Sequence, residues 1–281
     1  MRPNPGGSRG QSSLASRTDV TILAPVTEGR FQVVRAAGFL FAVMLALVLQ
    51  RLQPHARLRG SWEVNGGLWL TNVIILGVAC GACACTVARW AAHGRIGLLN
   101  TVPAPQWLSI AVTIVALDLV SYLWHRANHR IPFLWRFHQV HHSDPTFTAS
   151  TGVRFHPGEL LLSLPVRLTA VAVVGAPAGA VVVFEIVFGI ANLLEHGDID
   201  LPLRFERLLG RVFITPALHR RHHTKRGLER DTNFGTILAT WDRLFSTRSD
   251  STSATVIETG LPGMDAPNLR RAFVLPLRRA A

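Results

Sequence analysis

Four apolar stretches interrupt an otherwise basic chain, and their lengths set the first expectations. Residues 36–50 carry no charge, but as helix they reach only about 22 Å at ~1.5 Å per residue, short of a ~30 Å hydrocarbon core. Residues 67–88 and 107–124 are each roughly 20 residues, the span a bilayer requires, and Trp69, Trp90, Trp107 and Trp124 near their ends suit the membrane interface. They predict a transmembrane hairpin. A second apolar region, residues 160–194, is broken at Gly175-Ala176-Pro177-Ala178-Gly179; it predicts two arms of about 15 to 18 residues that enter the bilayer without comfortably spanning it. The pattern is therefore all-α: an integral membrane protein with two apolar helical hairpins, about four to five membrane helices, and a polar helical cap.

Composition agrees. The 281 residues are 48% hydrophobic and only 16% charged, a balance that takes lipid as solvent. The net charge of +12 comes from 28 Arg and one Lys lying mostly beside apolar runs, without the Lys-rich soluble fold and aromatic platforms of a nucleic-acid binder. Cys80, Cys83 and Cys85 sit inside an apolar run, where thiols pack as small hydrophobes rather than pair. Residues 1–30, rich in Gly, Ser, Pro and Arg, read as a disordered basic tail; residues 31–250 form one membrane domain, and 251–281 a flexible C-terminal tail. No small-residue cleavage site follows 36–50, so a signal peptide is not expected.

Chemistry enters with histidine. His138-Gln139-Val140-His141-His142 and His219-Arg220-Arg221-His222-His223 repeat one pattern, and His125-Arg126-Ala127-Asn128-His129 precedes them. Positions i, i+3 and i+4 share a helix face, so each HxxHH is expected to aim three imidazoles at one point. At this histidine frequency one such triplet arises by chance in about 2% of chains and two in roughly 0.02%. Eight box imidazoles are too many for one tetrahedral ion; four or five per ion suggest two. Nitrogen ligands alone do not choose iron, since zinc and copper bind such sites more strongly. His156 and His196 lie between the boxes, whereas His55 and His93 read as ordinary loop histidines.

Other ionisable residues in apolar runs are candidates to support the site. Asp118, seven residues before His125, is placed to accept an imidazole N–H and fix its tautomer. Glu185, Asn192 and His196 repeat along one helix face. Arg167 reads as a side chain snorkelling to the interface.

Several motifs together resemble the fatty acid hydroxylase/sterol desaturase superfamily, histidine-box di-iron oxidases of membranes: WHRANHR at 124–130, FHQVHHSD at 137–144, RFHPGE at 154–159, NLLEH at 192–196, and HRRHH with the trailing DTNFG and WDRLF at 219–245. The wording of the first two boxes is closest to bacterial members and to the alkylglycerol monooxygenase branch. The resemblance implies two iron ions held by His125, His129, His138, His141, His142, His219, His222 and His223, with His196 and His156 completing the set; for His156 a helix cap is the other reading. Asp231, Asn233 and Asp242 match the trailing motif and would brace the last box, with solvent-facing turns as the alternative. The implied activity is O₂-dependent hydroxylation, or desaturation, of a C–H bond in a bilayer lipid, with electrons from a separate ferredoxin or cytochrome. Arg126, Arg130, Arg136, Arg204, Arg207, Arg211, Arg220, Arg221, Lys225 and Arg226 cluster on the histidine side, which the positive-inside rule puts in the cytoplasm of a bacterial inner membrane. If 36–50 also spans, the Arg-bearing N-terminus lies outside, against that rule. A membrane metal transporter or store is a rival from another class, although the boxes lie beyond the apolar ends; a zinc hydrolase lacks the glutamate of HExxH.

Overall fold

A computed structural model describes residues 28–57, 60–80, 83–249, 257–265 and 268–278. Among the described residues the secondary structure is helical, with no strand. The long helices are α1 (Glu28–Leu52), α2 (Trp62–Cys80), α3 (Cys83–His93), then a single turn α4 (Leu98–Thr101), α5 (Gln106–Arg130), α6 (Pro132–His142), α7 (Pro157–Val174) and α8 (Ala178–Glu195). Shorter ones follow: α9 (Leu203–Leu209), α10 (Pro216–His222), α11 (Gly227–Arg230), α12 (Thr240–Leu244) and α13 (Leu269–Val274).

Four of these helices are long and apolar enough to cross a bilayer: α1, α5, α7 and α8. Their outer surfaces are apolar too. Leu40, Phe41 and Met44 of α1, and Trp107 and Val115 of α5, are exposed, as lipid-facing side chains are and those of a water-soluble bundle are not. The segment 36–50, too short as read from its uncharged residues, is the middle of a 25-residue helix, roughly 37 Å long at ~1.5 Å per residue; Arg30, Gln32 and Arg35 simply continue it. The segment 67–88 falls on α2 and α3, and residues 81–82 between them lie outside the described residues. The break at 175–179 is as the sequence suggests: Gly175 caps α7 in the left-handed conformation, φ 68°, and α8 starts at Ala178.

The ends of these helices define two faces. Gln50, near the end of α1, accepts backbone N–H groups of Ala149 and Asp198; α5 ends in His129 and Arg130, α7 begins after His156, and α8 runs into His196. All lie on one face, so the start of α1 lies on the other. At that other face Gly97 (φ 90°) packs against the turn at Gly175, so close that a Cβ would stand 2.3 Å from Ala172 O. Helices α1 and α8 approach through small residues: Ala42 and Ala46 are fully buried, and a Cβ on Gly38 would sit 2.8 Å from Ile186 Cγ1, the small-xxx-small spacing of closely packed membrane helices. Where a flexible end is expected, Leu261, Ala272 and Leu275 instead pack with Val140 of α6 and Leu68 of α2. The tail read over 1–30 falls mostly outside the described residues, and its last three residues belong to α1. Cys85 is buried, its sulfur accepting from Arg35.

The α1–α8 contact yields a test. Gly38→Leu, which must push Ile186 aside, is expected to destabilise the protein by about 1–3 kcal/mol, whereas Gly66→Ala, with open space around it, is neutral or stabilising. Thermal unfolding in detergent followed by circular dichroism compares them.

Candidate metal centre

The cap is built by placing histidines at helix ends. Helix α5 carries His125 and His129 in its last turns; after Ile131, Pro132 opens α6 at a position where a missing N–H costs nothing, and α6 ends in His138, His141 and His142. Thr215 caps α10 by accepting from Leu218 N, Pro216 follows, and α10 delivers His219 and His222 with His223 just beyond.

The ligand nitrogens form two groups, each within 4.8 Å of mutual contact: His125, His129, His138, His142 and His222 in one, His141, His196, His219 and His223 in the other. Each HxxHH is thus divided, against the expectation that its three imidazoles meet at one point. His138 and His142 join the first group and His141 the second, while His219 and His223 join the second and His222 the first. Helix geometry gives the reason: residues i and i+4 lie ~40° apart around the axis but neighbours lie ~100° apart, so the last two histidines of a box point to different centres. The groups abut where His142 and His223 stack, ring centroids 4.2 Å apart.

Outward-facing nitrogens are held. His125 Nδ1 donates to Phe234 O at 2.8 Å, His129 Nδ1 to Asp231 Oδ1 at 3.3 Å, His138 Nδ1 to Glu159 Oε1 at 2.8 Å, His141 Nδ1 to Arg154 O at 3.3 Å, His196 Nδ1 to Asn192 O at 2.6 Å and His222 Nδ1 to Thr232 O at 2.8 Å. A neutral imidazole that donates from Nδ1 leaves a bare lone pair on Nε2. The Nε2 atoms of His125, His129, His138 and His222, and both nitrogens of His142 and His223, are buried without a hydrogen-bond partner. His196 Nε2 lies 3.0 Å from the Nε2 atoms of both His141 and His219. With the outer N–H groups of His141 and His196 already committed, that contact sets lone pair against lone pair, which repel unless a cation lies among them. Nitrogens bound ~2.1 Å from one ion stand about 3.0–3.4 Å apart, so the spacing fits a metal. So does the protonation state: burial, with neighbouring imidazoles, pushes His141, His142, His219, His222 and His223 well below their ordinary value and His196 down to about 4, favouring the neutral, metal-binding form.

The supporting residues differ in part from those expected. Asp118 accepts from Ile237 N, Leu238 N and the Trp241 indole, not from an imidazole; seven residues before His125 it stands about 10 Å lower on α5 and anchors the loop after the last box. Glu185 pairs with Arg35 of α1: it shares the face of His196 but is roughly 16 Å from it along the helix. Asn192 donates its side chain to Gly152 O and serves His196 through its backbone carbonyl. His156 joins neither group; its Nδ1 accepts from Gly158 N as the cap of α7 and its Nε2 meets Phe273 O at 3.2 Å. Asp231 braces His129, from the first box rather than the last. Asn233, at φ 54°, donates to Leu218 O and Ser249 O, and Asp242 accepts from Phe234 N, Gly235 N and Thr247 Oγ1; together they shape the loop whose carbonyls hold His125 and His222. Two glutamates were missed. Glu159 holds His138, and buried Glu195 lies 3.7 Å from His196 Nδ1 and 3.8 Å from His219 Nδ1. Both stand inside quoted motifs, HPGE and NLLEH, and a carboxylate beside a metal-spaced histidine is the signal that could have found them.

Aromatic rings seal the groups. Phe155 stacks on His141, Phe147 borders His196 and His223, and Phe234 faces His125, His129 and His222. One side stays open to a cavity of about 130 Å³ lined by His125, His138, His141, His196 and His219 and by Trp124, Leu160 and Phe188; Trp124, expected as an interfacial anchor, is part of its wall.

Comparison with known proteins places the chain. Over 256 residues it is 24% identical to an ornithine lipid hydroxylase of Rhizobium tropici, covering 86% of this chain and 75% of that protein. It is 32% identical to an alkylglycerol monooxygenase of Danio rerio over 50% of this chain, and 25% identical to a cholesterol 25-hydroxylase of Rattus norvegicus over 58%. The match spans only 30% and 54% of those two animal proteins. No solved structure matches. Residues 110–247, which contain every histidine of both groups, match the fatty acid hydroxylase family model, and the chain belongs to that family.

Proposed function

We propose that the protein is a membrane-bound, O₂-dependent di-iron oxidase that hydroxylates a C–H bond of a lipid, with His125, His129, His138, His142 and His222 holding one iron and His141, His196, His219 and His223 the other. The observation that carries this reading is the set of buried, partnerless imidazole nitrogens converging in two adjoining groups while the Nδ1–H groups of His125, His129, His138, His141, His196 and His222 are fixed. The donor set is compatible with iron, zinc or copper; relatives named as lipid hydroxylases and monooxygenases favour a redox-active metal over zinc and hydroxylation over desaturation. Bound iron would supply the electrons and oxidising power for O₂ chemistry on an unactivated C–H bond.

The chain's own residues do the rest. Glu159 and Asp231 hold the N–H groups of His138 and His129, setting tautomer and ring orientation and raising ligand basicity. The wall of Phe147, Phe155 and Phe234 keeps water from the nitrogens, and the adjoining cavity admits lipid between α5, α7 and α8. The Arg-rich face that carries the cap suits an acidic ferredoxin or cytochrome as electron donor, and the positive-inside rule puts this face in the cytoplasm of a bacterial inner membrane. We take residues 31–250, together with the closing segment over α6, as one catalytic domain.

Purified protein incubated with host lipid extract, reductant and ¹⁸O₂ is expected to yield a lipid hydroxyl bearing ¹⁸O; label from water, or no O₂ dependence, would contradict the reading. Ligand and cap separate cleanly by mutation: His222→Ala is expected to lose activity and iron together, whereas His156→Ala lowers stability by about 1 kcal/mol, as loss of a helix cap does, and keeps its iron. Elemental analysis of both variants checks this. A pH dependence follows from the depressed imidazoles. Below ~6.5 the unfolded chain takes up protons that the buried histidines of the metal-free fold resist, so its stability is expected to fall as pH drops from about 6.5 toward 4; unfolding of chelated protein at pH 7.5 and 5 measures it, and an unchanged midpoint would count against it.

A further inference from the structure

Three ionisable side chains lie within the spanning segments: Arg35 and Glu185 are half-buried, and Arg167 is exposed. Arg35 of α1 donates Nε to Glu185 Oε2 of α8 at 2.5 Å and an Nη to Cys85 Sγ at 3.1 Å. Arg167 of α7 lines, with them, a cavity of about 340 Å³. This cavity adjoins the one that reaches the histidines: Val120, Ser121 and Arg167 line both. Arg35 and Glu185 neutralise each other, which leaves Arg167 as surplus positive charge; among the described residues it makes no ion pair or hydrogen bond. An uncompensated guanidinium in hydrocarbon is costly and usually serves a ligand or pathway. Arg167 is exposed on the outer surface of α7, as a snorkelling side chain is, yet it also lines both cavities.

We propose that the joined cavity binds a single amphiphile whose acidic group, a carboxylate or a phosphate, lies against Arg167, with its hydrocarbon portion passing Val120 and Ser121 to the histidine groups. Arg35 and Glu185 form the polar floor of this site and keep it electrically balanced once the acid is bound. The guanidinium fork matches either oxyanion through paired N–H donors. Arg167 is then a determinant of which lipid is held. The meaning of the histidine end rests on the lipid-oxidase reading above.

Native mass spectrometry of the full-length protein, equilibrated in detergent with an equimolar mixture of palmitate, methyl palmitate, phosphatidylglycerol and phosphatidylcholine, tests the site. The expected result is an acidic adduct exceeding its neutral counterpart by about tenfold, the worth of one charge-assisted contact. Excess palmitate assigns the carboxylate and excess phosphatidylglycerol the phosphate. Arg167→Leu is expected to bring the ratio near one with helical content intact, and Arg167→Lys to keep part of it. No acidic preference in the wild type, or a preference that Arg167→Leu leaves in place, overturns the proposal. Iron analysis and ¹⁸O₂ incorporation on the same preparation separate the two readings: iron-loaded, active protein without acid preference sinks this site alone, while acid preference in protein that takes up no iron sinks the oxidase and spares the site.

Discussion

Nine imidazoles share one buried volume, and seven of them are no more than 2 % exposed. Such a cluster is stable only if every ring is neutral and every nitrogen has a partner, since protonated rings would repel and bare nitrogens are costly to bury. The protein meets part of this demand itself by giving the Nδ1–H groups of six rings carbonyl or carboxylate acceptors. Two metal ions would take up the inward-facing nitrogens. The remaining architecture can be understood as what it takes to bring those acceptors, from distant parts of the chain, within hydrogen-bond range of the right rings.

The apolar helices set the stage for this by ending together. Helices α5, α7 and α8 all meet the cap at one face, so His125, Glu159 and His196 arrive there from three separate spans. Polar anchors then fix the irregular segments between them. Asp144 accepts from Ser61, Asn65, Thr146 and Thr151; burial alone would raise its carboxyl, but Arg154 and these donors hold it below its ordinary value. Arg154 in turn binds Val140 O and Asn65 while its own carbonyl takes the N–H of His141. At the opposite edge Asp118 and Asp242 hold the 231–242 loop by its backbone. Both networks stand one contact behind the histidines, and neither touches the cavity on its own.

How much of this could be read from the chain depends on what each residue answers to. The histidine boxes obey local helix spacing, so eight of the nine clustered imidazoles were legible from their sequence positions, and His196 from its place in NLLEH. Their division between two centres was not, although the 100° step between neighbours contains it: three rings on one broad face need not meet at one point. Asp118 and Glu185 depart from expectation for a related reason: a shared face says nothing of depth, and these residues lie about two and three helical turns below the site. Backbone acceptors such as Phe234 O, Thr232 O and Arg154 O leave no trace in side-chain identity. The apolar runs predict helix existence well and helix ends poorly, since charged residues extend α1 beyond its apolar stretch.

The central claim is that the two histidine groups are two separate metal sites in one buried centre. Iron K-edge anomalous scattering from crystals of the iron-loaded protein tests it most directly. Two iron peaks are predicted, one among His125, His129, His138, His142 and His222 and the other among His141, His196, His219 and His223. A single peak, or iron coordinated by His156 or by a residue outside both groups, would contradict the account.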